Sequence, residues 1–133
     1  MLEPSRGLLD TSVVVDHDII DADRLPDHSA ISAVTLAELA AGPHAAADDD
    51  ERARRQDRLQ WAAATWDAVA FDADAARAYG RLYAATRAAG RTSRHRLADL
   101  LIAATAVANG LTVYTRNPDD LHHLDPLVPI VGV

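Results

Sequence analysis

The sequence predicts an α/β fold in which helices cover both faces of a mainly parallel central sheet. Short apolar or β-branched runs alternate with segments of helical periodicity, a pattern typical of βαβ units. One helical segment, "LADLLIAATAVAN", is apolar nearly all round and must be buried on most sides. With 133 residues, 49% of them hydrophobic, the chain is expected to form a single domain over residues 1–133, with residues 1–6 disordered.

The first half of the chain supplies two predicted strands and two predicted helices. Leu8–Leu9 ends a short buried strand, and Ser29–Ser32 forms a second one. Val34–Ala41 has apolar residues at helical spacing, and Gly42–Pro43 ends that helix. The next segment, "DDDERARRQDRLQWAAATW", opens with three aspartates, which favour a helix N-terminus and so predict a second helix.

The second half continues the alternation. Ala68–Phe71 is a predicted strand, after which Asp72 caps a helix that Gly90 ends. Leu97–Asn109 is the predominantly apolar helix. Two further strands are predicted at Leu111–Thr115 and Pro129–Val133.

The composition limits the kind of protein. The chain has no cysteine, which excludes disulfides and thiolate metal sites, and it lacks a signal-peptide pattern and an apolar run of membrane-spanning length. We therefore expect a cytoplasmic protein. Its formal net charge is −7, which argues against sequence-independent binding to a polyanion, although all 13 basic residues are arginines, whose planar guanidinium suits phosphate.

Acidic residues follow two of the predicted strands. Asp10 comes directly after the first strand, and the loop Arg116–Asp120, "RNPDD", follows the strand "LTVYT". In open α/β sheets, ligands bind beyond the carboxyl ends of the strands. These two loops are therefore expected to meet at one crevice.

Each acidic position also has an ordinary structural explanation. Asp10 suits a turn or the cap of a helix beginning in "TSVVVD". Thr35 and Glu38 match a capping box. A negative charge at Asp99 is favoured near a helix start, and "NPDD" is a common turn sequence.

The combination of acids points instead to a metal site. Glu38 lies between Ala37 and Leu39, and Asp99 precedes an apolar run, so we expect both carboxylates close to the core. Crowded, buried carboxylates raise one another's pKa values. A divalent cation removes the repulsion, and an all-oxygen ligand set suits Mg²⁺ or Mn²⁺ rather than zinc.

Four motifs resemble those of a known family. In order along the chain, "LLDTS", "TLAEL", "ADLLIAATA" and "YTRNPDDL" are similar to the motifs of PIN-domain ribonucleases, most closely VapC-type toxins of bacterial toxin–antitoxin pairs. The resemblance extends from Leu8 to about Val133. It implies a compact three-layer α/β/α fold and cleavage of RNA that depends on Mg²⁺ or Mn²⁺.

The resemblance also implies roles for individual residues. Asp10, Glu38 and Asp99 match the three core acids of the family and would bind the metal, Glu38 either directly or through water. Asn117 stands where some family members have aspartate, so Asp120 is expected to supply the missing charge. The supporting hydroxyl residues are Ser12 and Thr115.

An acidic site needs basic residues nearby to hold RNA. We expect phosphate contacts from four arginines close to the predicted site in sequence: Arg91, Arg94, Arg96 and Arg116. The resemblance further implies a structured RNA substrate such as tRNA or rRNA, a homodimer, and an antitoxin partner that fills or blocks the acidic cleft.

Two other functions compete with this interpretation. A non-catalytic binding module of the same fold would use its acids only as caps. An aspartate-dependent phosphatase would use Asp10 as the nucleophile, but Ser12 occupies the place of its second aspartate, and the chain contains no lysine.

Overall fold

The structure is a computed structural model and describes residues 3–92 and 96–133. Within these ranges, the strands are β1 (Arg6–Leu9), β2 (His28–Ser32), β3 (Ala68–Val69), β4 (Thr112–Thr115) and β5 (Ile130–Gly132). They form one sheet in the order β3-β2-β1-β4-β5, and every pairing is parallel. The predicted parallel sheet is confirmed, with β1 at its centre.

Helices connect these strands. Their bounds are α1 (Thr11–Val15), α2 (Ala33–Ala41), α3 (Asp49–Thr65), α4 (Ala73–Ala88) and α5 (Leu97–Asn109). The side chain of Asp72 caps α4 as predicted, by accepting from the amide of Ala75, and Gly110 ends α5 at a φ of 63°. No helix in the described part of the chain is both long and apolar enough to cross a bilayer.

The sheet separates two hydrophobic clusters. Leu8 lies in one cluster with Leu82 of α4 and Leu100 of α5, whereas its neighbour Leu9 lies in the other with Val13 of α1 and Ile31. Successive strand residues point to opposite faces, so β1 anchors both layers of helices. The three-layer α/β/α arrangement is therefore confirmed.

The N-terminal segment is more ordered than expected. Arg6 begins β1, and Ser5 precedes it with three hydrogen bonds to Asp27. The Ser5 amide and hydroxyl donate to Asp27 Oδ2 at 2.9 and 3.2 Å, and the Asp27 amide donates to Ser5 Oγ at 2.8 Å. The expected disorder of residues 1–6 is therefore wrong for Ser5 and Arg6, because pairing with the loop before β2 orders them. Residues 1 and 2 lie outside the described ranges.

Candidate active site

The acidic residues lie at the carboxyl edge of the sheet. Asp10 follows β1 directly, and its amide donates to the carbonyl of Tyr114 in β4 at 2.9 Å. Because β1 and β4 are parallel neighbours, the residues after β4 lie beside those after β1. This brings Asp10 next to Thr115 and Arg116, more than a hundred residues away in sequence.

Asp10 is buried, and both of its carboxylate oxygens accept hydrogen bonds. The residue is 5% exposed. Oδ1 accepts from the amide of Thr11 at 2.9 Å, and Oδ2 accepts from Ser12 Oγ at 2.8 Å and Thr115 Oγ1 at 2.9 Å. Asp10 is thus the N-cap of α1, as the ordinary explanation required, and also a carboxylate held in one orientation.

The two hydroxyls that hold Asp10 also hold the loop after β4. Ser12 Oγ accepts from the amide of Arg116, and Thr115 Oγ1 accepts from the amide of Asn117, both at 3.1 Å. Each hydroxyl donates to Asp10 and accepts a backbone N–H. The position of the "RNPDD" loop is therefore tied to the carboxylate.

Glu38 is not part of a capping box. Helix α2 begins two residues before Thr35, and its cap is Ser32, whose Oγ accepts from the Thr35 amide at 3.0 Å. Glu38 Oε1 instead accepts from Thr11 Oγ1 at 2.6 Å. The side chain is exposed, so the expectation that Glu38 lies close to the core is wrong. The next residue, Leu39, is buried, whereas the Glu38 carboxylate lies against the Thr11 hydroxyl.

Asp99 lies in the first turn of α5 and is half-buried. Its pKa is raised to about 6, first by burial and then by the negative charges of Asp10 and Glu38. Arg96 opposes this rise, and Asp120 adds slightly to it. The carboxylates of three different segments thus interact electrostatically at one place.

Asp120 is paired with an arginine. Its Oδ2 lies 3.0 Å from Nη1 of Arg96, the residue before α5, and the hydrogen bond from Arg96 lowers the pKa of Asp120. Asn117 lies three residues earlier with its side chain exposed. Of the two residues expected to complete the acidic set, Asp120 is therefore already neutralised by a cation, and Asn117 is open to solvent.

The described arginines of the predicted RNA-binding set all make contacts within the protein. Arg91 Nη2 donates to the carbonyl of Asp119 at 3.2 Å. Arg116 donates to Asp16 at 3.1 Å and to the carbonyl of Val133 at 2.8 Å. Arg91 and Arg96 thus contact the "RNPDD" loop, whose first residue is Arg116. Arg94 lies outside the described residues.

The donor set suits a hard divalent cation. In residues 3–92 and 96–133, no group of three or more His, Asp or Glu side chains is placed to hold a metal ion by itself. Mg²⁺ takes one or two protein carboxylates and keeps several waters, so it does not require such a group. Asp10 and Asp99 offer carboxylate oxygens whose mutual repulsion a cation would remove, and the charge of Glu38 adds to this repulsion.

Comparison with known proteins identifies the family. The family described as "PIN domain" matches residues 7–125 of this chain. The chain belongs to the PIN-domain family. This match covers all three acids, Asp10, Glu38 and Asp99.

Several known proteins are similar to this PIN domain over most of its length. Ribonuclease VapC5 of Mycobacterium tuberculosis is 41% identical over 125 residues, which are 92% of this chain and 90% of that protein. Ribonuclease VapC8 of the same species is 41% identical over 101 residues, 75% of this chain and 89% of that protein. The crystal structure of VapBC-5, a toxin–antitoxin system of M. tuberculosis, matches with a TM-score of 0.86 and 40% identity over 98% of this chain and 100% of that chain.

Sequence reasoning missed two features of the site in this PIN domain. One is the contact of Thr11 with both Asp10 and Glu38. The other is the pairing of Asp120 with Arg96. The "DTS" motif contained a signal for the Thr11 contacts, because it places a second hydroxyl residue beside Ser12. The neighbouring residues did not predict which acid the Thr11 hydroxyl would contact.

Proposed function

We propose that this PIN domain is a metal-dependent ribonuclease that acts as the toxin of a toxin–antitoxin system. The observation that carries the proposal is that Asp10, Glu38 and Asp99 interact electrostatically: burial first, and then the charges of Asp10 and Glu38, raise the pKa of Asp99 to about 6. Such crowding is unfavourable in a protein without a cation. The names of the similar VapC proteins support RNA as the substrate.

The protein's own residues would divide the work as follows. Asp10, immobilised by Ser12 and Thr115, and Asp99, at the start of α5, would hold Mg²⁺ or Mn²⁺. When bound, the ion supplies an activated water and neutralises negative charge on the phosphate. Glu38 and Asn117 would orient water and RNA from the exposed side of the crevice.

Incubation of the purified chain with total RNA tests the proposal. We expect cleavage with Mg²⁺ or Mn²⁺ and none with EDTA. Cleavage that continues unchanged in EDTA would contradict metal dependence, and the absence of cleavage with either ion would contradict the ribonuclease assignment.

The rival functions are less consistent with the geometry. A phosphatase of this kind has a second aspartate two residues after its nucleophile, whereas Ser12 occupies that place and donates to Asp10 Oδ2 at 2.8 Å, and the chain contains no lysine. A binding module would use its acids as caps, whereas Glu38 caps no helix and Asp99 is held in a position that opposes its ionisation.

We propose that Arg91 and Arg96 contact RNA phosphates, since both border the acidic loop. The Arg91→Ala/Arg96→Ala double variant should weaken RNA binding. The slope of log K against log salt concentration should become shallower by about 0.7 for each lost phosphate contact, as for single-stranded nucleic acid. Binding would be measured by fluorescence anisotropy at several salt concentrations in EDTA.

Arg24→Ala is the matched control for this experiment. Arg24 is exposed and lies before β2, at the opposite edge of the sheet from the acids. It should leave the slope unchanged. An unchanged slope in the double variant would reject the two arginines as phosphate contacts.

An antitoxin partner is also part of the proposal. Two adjoining hollows of about 350 Å³ each share Val15 and Arg58; one contains Thr11 and Glu38, and the other ends at Trp61. Val15 and Trp61 are 44% and 37% exposed, so the second hollow offers two apolar side chains among the charged residues that line it. Trp61 packs edge-on against His17 and Trp66 at the surface. We propose that a segment of the antitoxin occupies the groove formed by these two hollows; the similarity to a VapBC toxin–antitoxin structure supports such a partner.

Substitution at the end of the groove tests this partner. Trp61→Ala should weaken inhibition by the cognate antitoxin by at least about tenfold, as expected for a buried aromatic anchor. Cleavage by the free chain should not change. Tyr83→Ala, which removes an equally exposed aromatic ring from α4, is the control. Equal inhibition of both variants would exclude the groove.

We also propose a homodimer. Exposed apolar side chains such as Ile19 (73% exposed) and Leu97 (51% exposed) are candidates for burial between two copies. Sedimentation velocity should then give twice the mass of the 14.3 kDa chain.

A further inference from the structure

We propose that Thr11 is a positioning residue that sets the separation between the carboxylates of Asp10 and Glu38. The inference rests on the proposed metal-dependent function, which it extends to a residue outside the acidic set. Thr11 is the first residue of α1 and follows Asp10 directly.

Thr11 contacts both acids with different groups. Its amide donates to Asp10 Oδ1 at 2.9 Å, and its hydroxyl donates to Glu38 Oε1 at 2.6 Å. The first contact joins two adjacent residues, whereas the second spans 27 residues and joins α1 to α2. Thr11 therefore links Asp10, which follows the central strand, to Glu38 of α2.

The numbers of donors and acceptors around Thr11 Oγ1 show which contact its hydroxyl proton makes. Thr11 Oγ1 is also 3.0 Å from Thr35 Oγ1, but a hydroxyl has one proton and a carboxylate only accepts. Thr11 therefore donates to Glu38 and accepts from Thr35. Ser32 Oγ lies 3.3 Å from Thr35 Oγ1 and continues the series, so buried hydroxyls support the Thr11 contact from below.

The contact matters because little else restrains Glu38. Its side chain is exposed, and Thr11 is its one hydrogen-bond partner among the described residues. A long side chain without a partner samples several rotamers, and ordering it on metal binding is unfavourable. Thr11 holds the carboxylate in place beforehand, which is how residues behind a metal site raise affinity and activity.

The test compares Thr11→Val with Thr11→Ser. Valine keeps the shape and the amide contact to Asp10 but removes the hydroxyl, whereas serine restores it. We expect Thr11→Val to bind Mn²⁺ about 10–100-fold more weakly, measured by the loss of the free-ion EPR signal, and to lower kcat by a similar factor with little change in KM. Thr11→Ser should return both quantities close to wild type.

Thr65→Val is the matched control, since it removes a hydroxyl from an exposed position at the end of α3. It should bind Mn²⁺ and cleave RNA like wild type. Urea unfolding of each variant in EDTA separates a loss of stability from a loss of metal binding.

The outcomes distinguish this inference from the proposed function. If wild type binds Mn²⁺ and cleaves RNA but Thr11→Val does both equally well, the positioning role is wrong and the ribonuclease assignment stands. If Thr11→Ser is as impaired as Thr11→Val, the hydroxyl is not responsible, which also overturns the inference. If wild type neither binds Mn²⁺ nor cleaves RNA, both proposals fail.

Discussion

Asp99→Asn should abolish RNA cleavage and, in EDTA, stabilise the protein. Loss of a carboxylate from the proposed metal site is expected to reduce kcat by at least about 100-fold. The stabilisation has a separate cause, because asparagine removes the charge that burial and the carboxylates of Asp10 and Glu38 disfavour.

The stabilisation should depend on pH with a defined sign. The Asp99 carboxyl binds its proton more tightly in the folded state, where its pKa is about 6, than in the unfolded state, where it is near 3.8. Protonation of Asp99 therefore contributes to the free energy of unfolding in full below pH 3.8, and this contribution is lost as the pH rises through 6. The difference corresponds to at most about 3 kcal/mol, and solvent around this half-buried group reduces it to about 1–2 kcal/mol.

Urea unfolding in EDTA at pH 4 and pH 7.5 measures this effect. The advantage of Asp99→Asn over wild type should be small at pH 4 and reach its full value above pH 7. Asp74→Asn is the control, because Asp74 occupies the first turn of α4 but is exposed and pairs with Arg77. At ten times its Kd, Mn²⁺ should stabilise wild type by roughly 1.4 kcal/mol and Asp99→Asn not at all. A pH-independent difference would contradict the crowding of the acids.

Asp10→Asn should also abolish cleavage, but it should destabilise the protein. The carboxylate accepts from the Thr11 amide on one oxygen and from the hydroxyls of Ser12 and Thr115 on the other. An asparagine has one oxygen and one NH₂ group. With the NH₂ group at the Oδ1 position it opposes the Thr11 amide, and with the NH₂ group at the Oδ2 position both hydroxyl protons lose their acceptor. Because the side chain is buried, we expect a loss of about 1–3 kcal/mol in the free energy of unfolding.

Asp72→Asn is the matched control for this prediction. Asp72 caps α4 through one hydrogen bond to the amide of Ala75, which an asparagine oxygen accepts equally well. Its stability should therefore remain within about 0.5 kcal/mol of wild type. If Asp10→Asn were as stable as Asp72→Asn in urea unfolding, the proposed immobilisation of Asp10 would be wrong.

The opposite signs of the two stability effects distinguish two kinds of acid in one site. Asp10 is satisfied by its neighbours, and its charge is part of the folded structure. Asp99 is half-buried beside the charges of Asp10 and Glu38, and its pKa of about 6 is the consequence. A site that combines a fixed ligand with a repelled one should gain most of its metal-dependent stability from the second.

The sequence by itself determined the order of strands and helices, the parallel sheet and the ends of several elements. These follow from local signals: the bounds of α5 match the apolar run Leu97–Asn109, and Asp72 and Gly110 act within one turn of the residues they cap or end. It also determined that acids would stand at the carboxyl edge, because Asp10 and the "RNPDD" loop follow strands that are buried neighbours.

Only the tertiary structure decided what each acid contacts. The hydroxyl that Asp10 accepts from at Thr115 is 105 residues away, and the Thr11 hydroxyl reaches Glu38 across 27 residues. Periodicity places Glu38 on α2 but does not show that Ser32 caps that helix and leaves Glu38 exposed. The physical reason is that capping and periodicity act over one helical turn, whereas the environment of a carboxylate depends on segments that meet only when the sheet has formed.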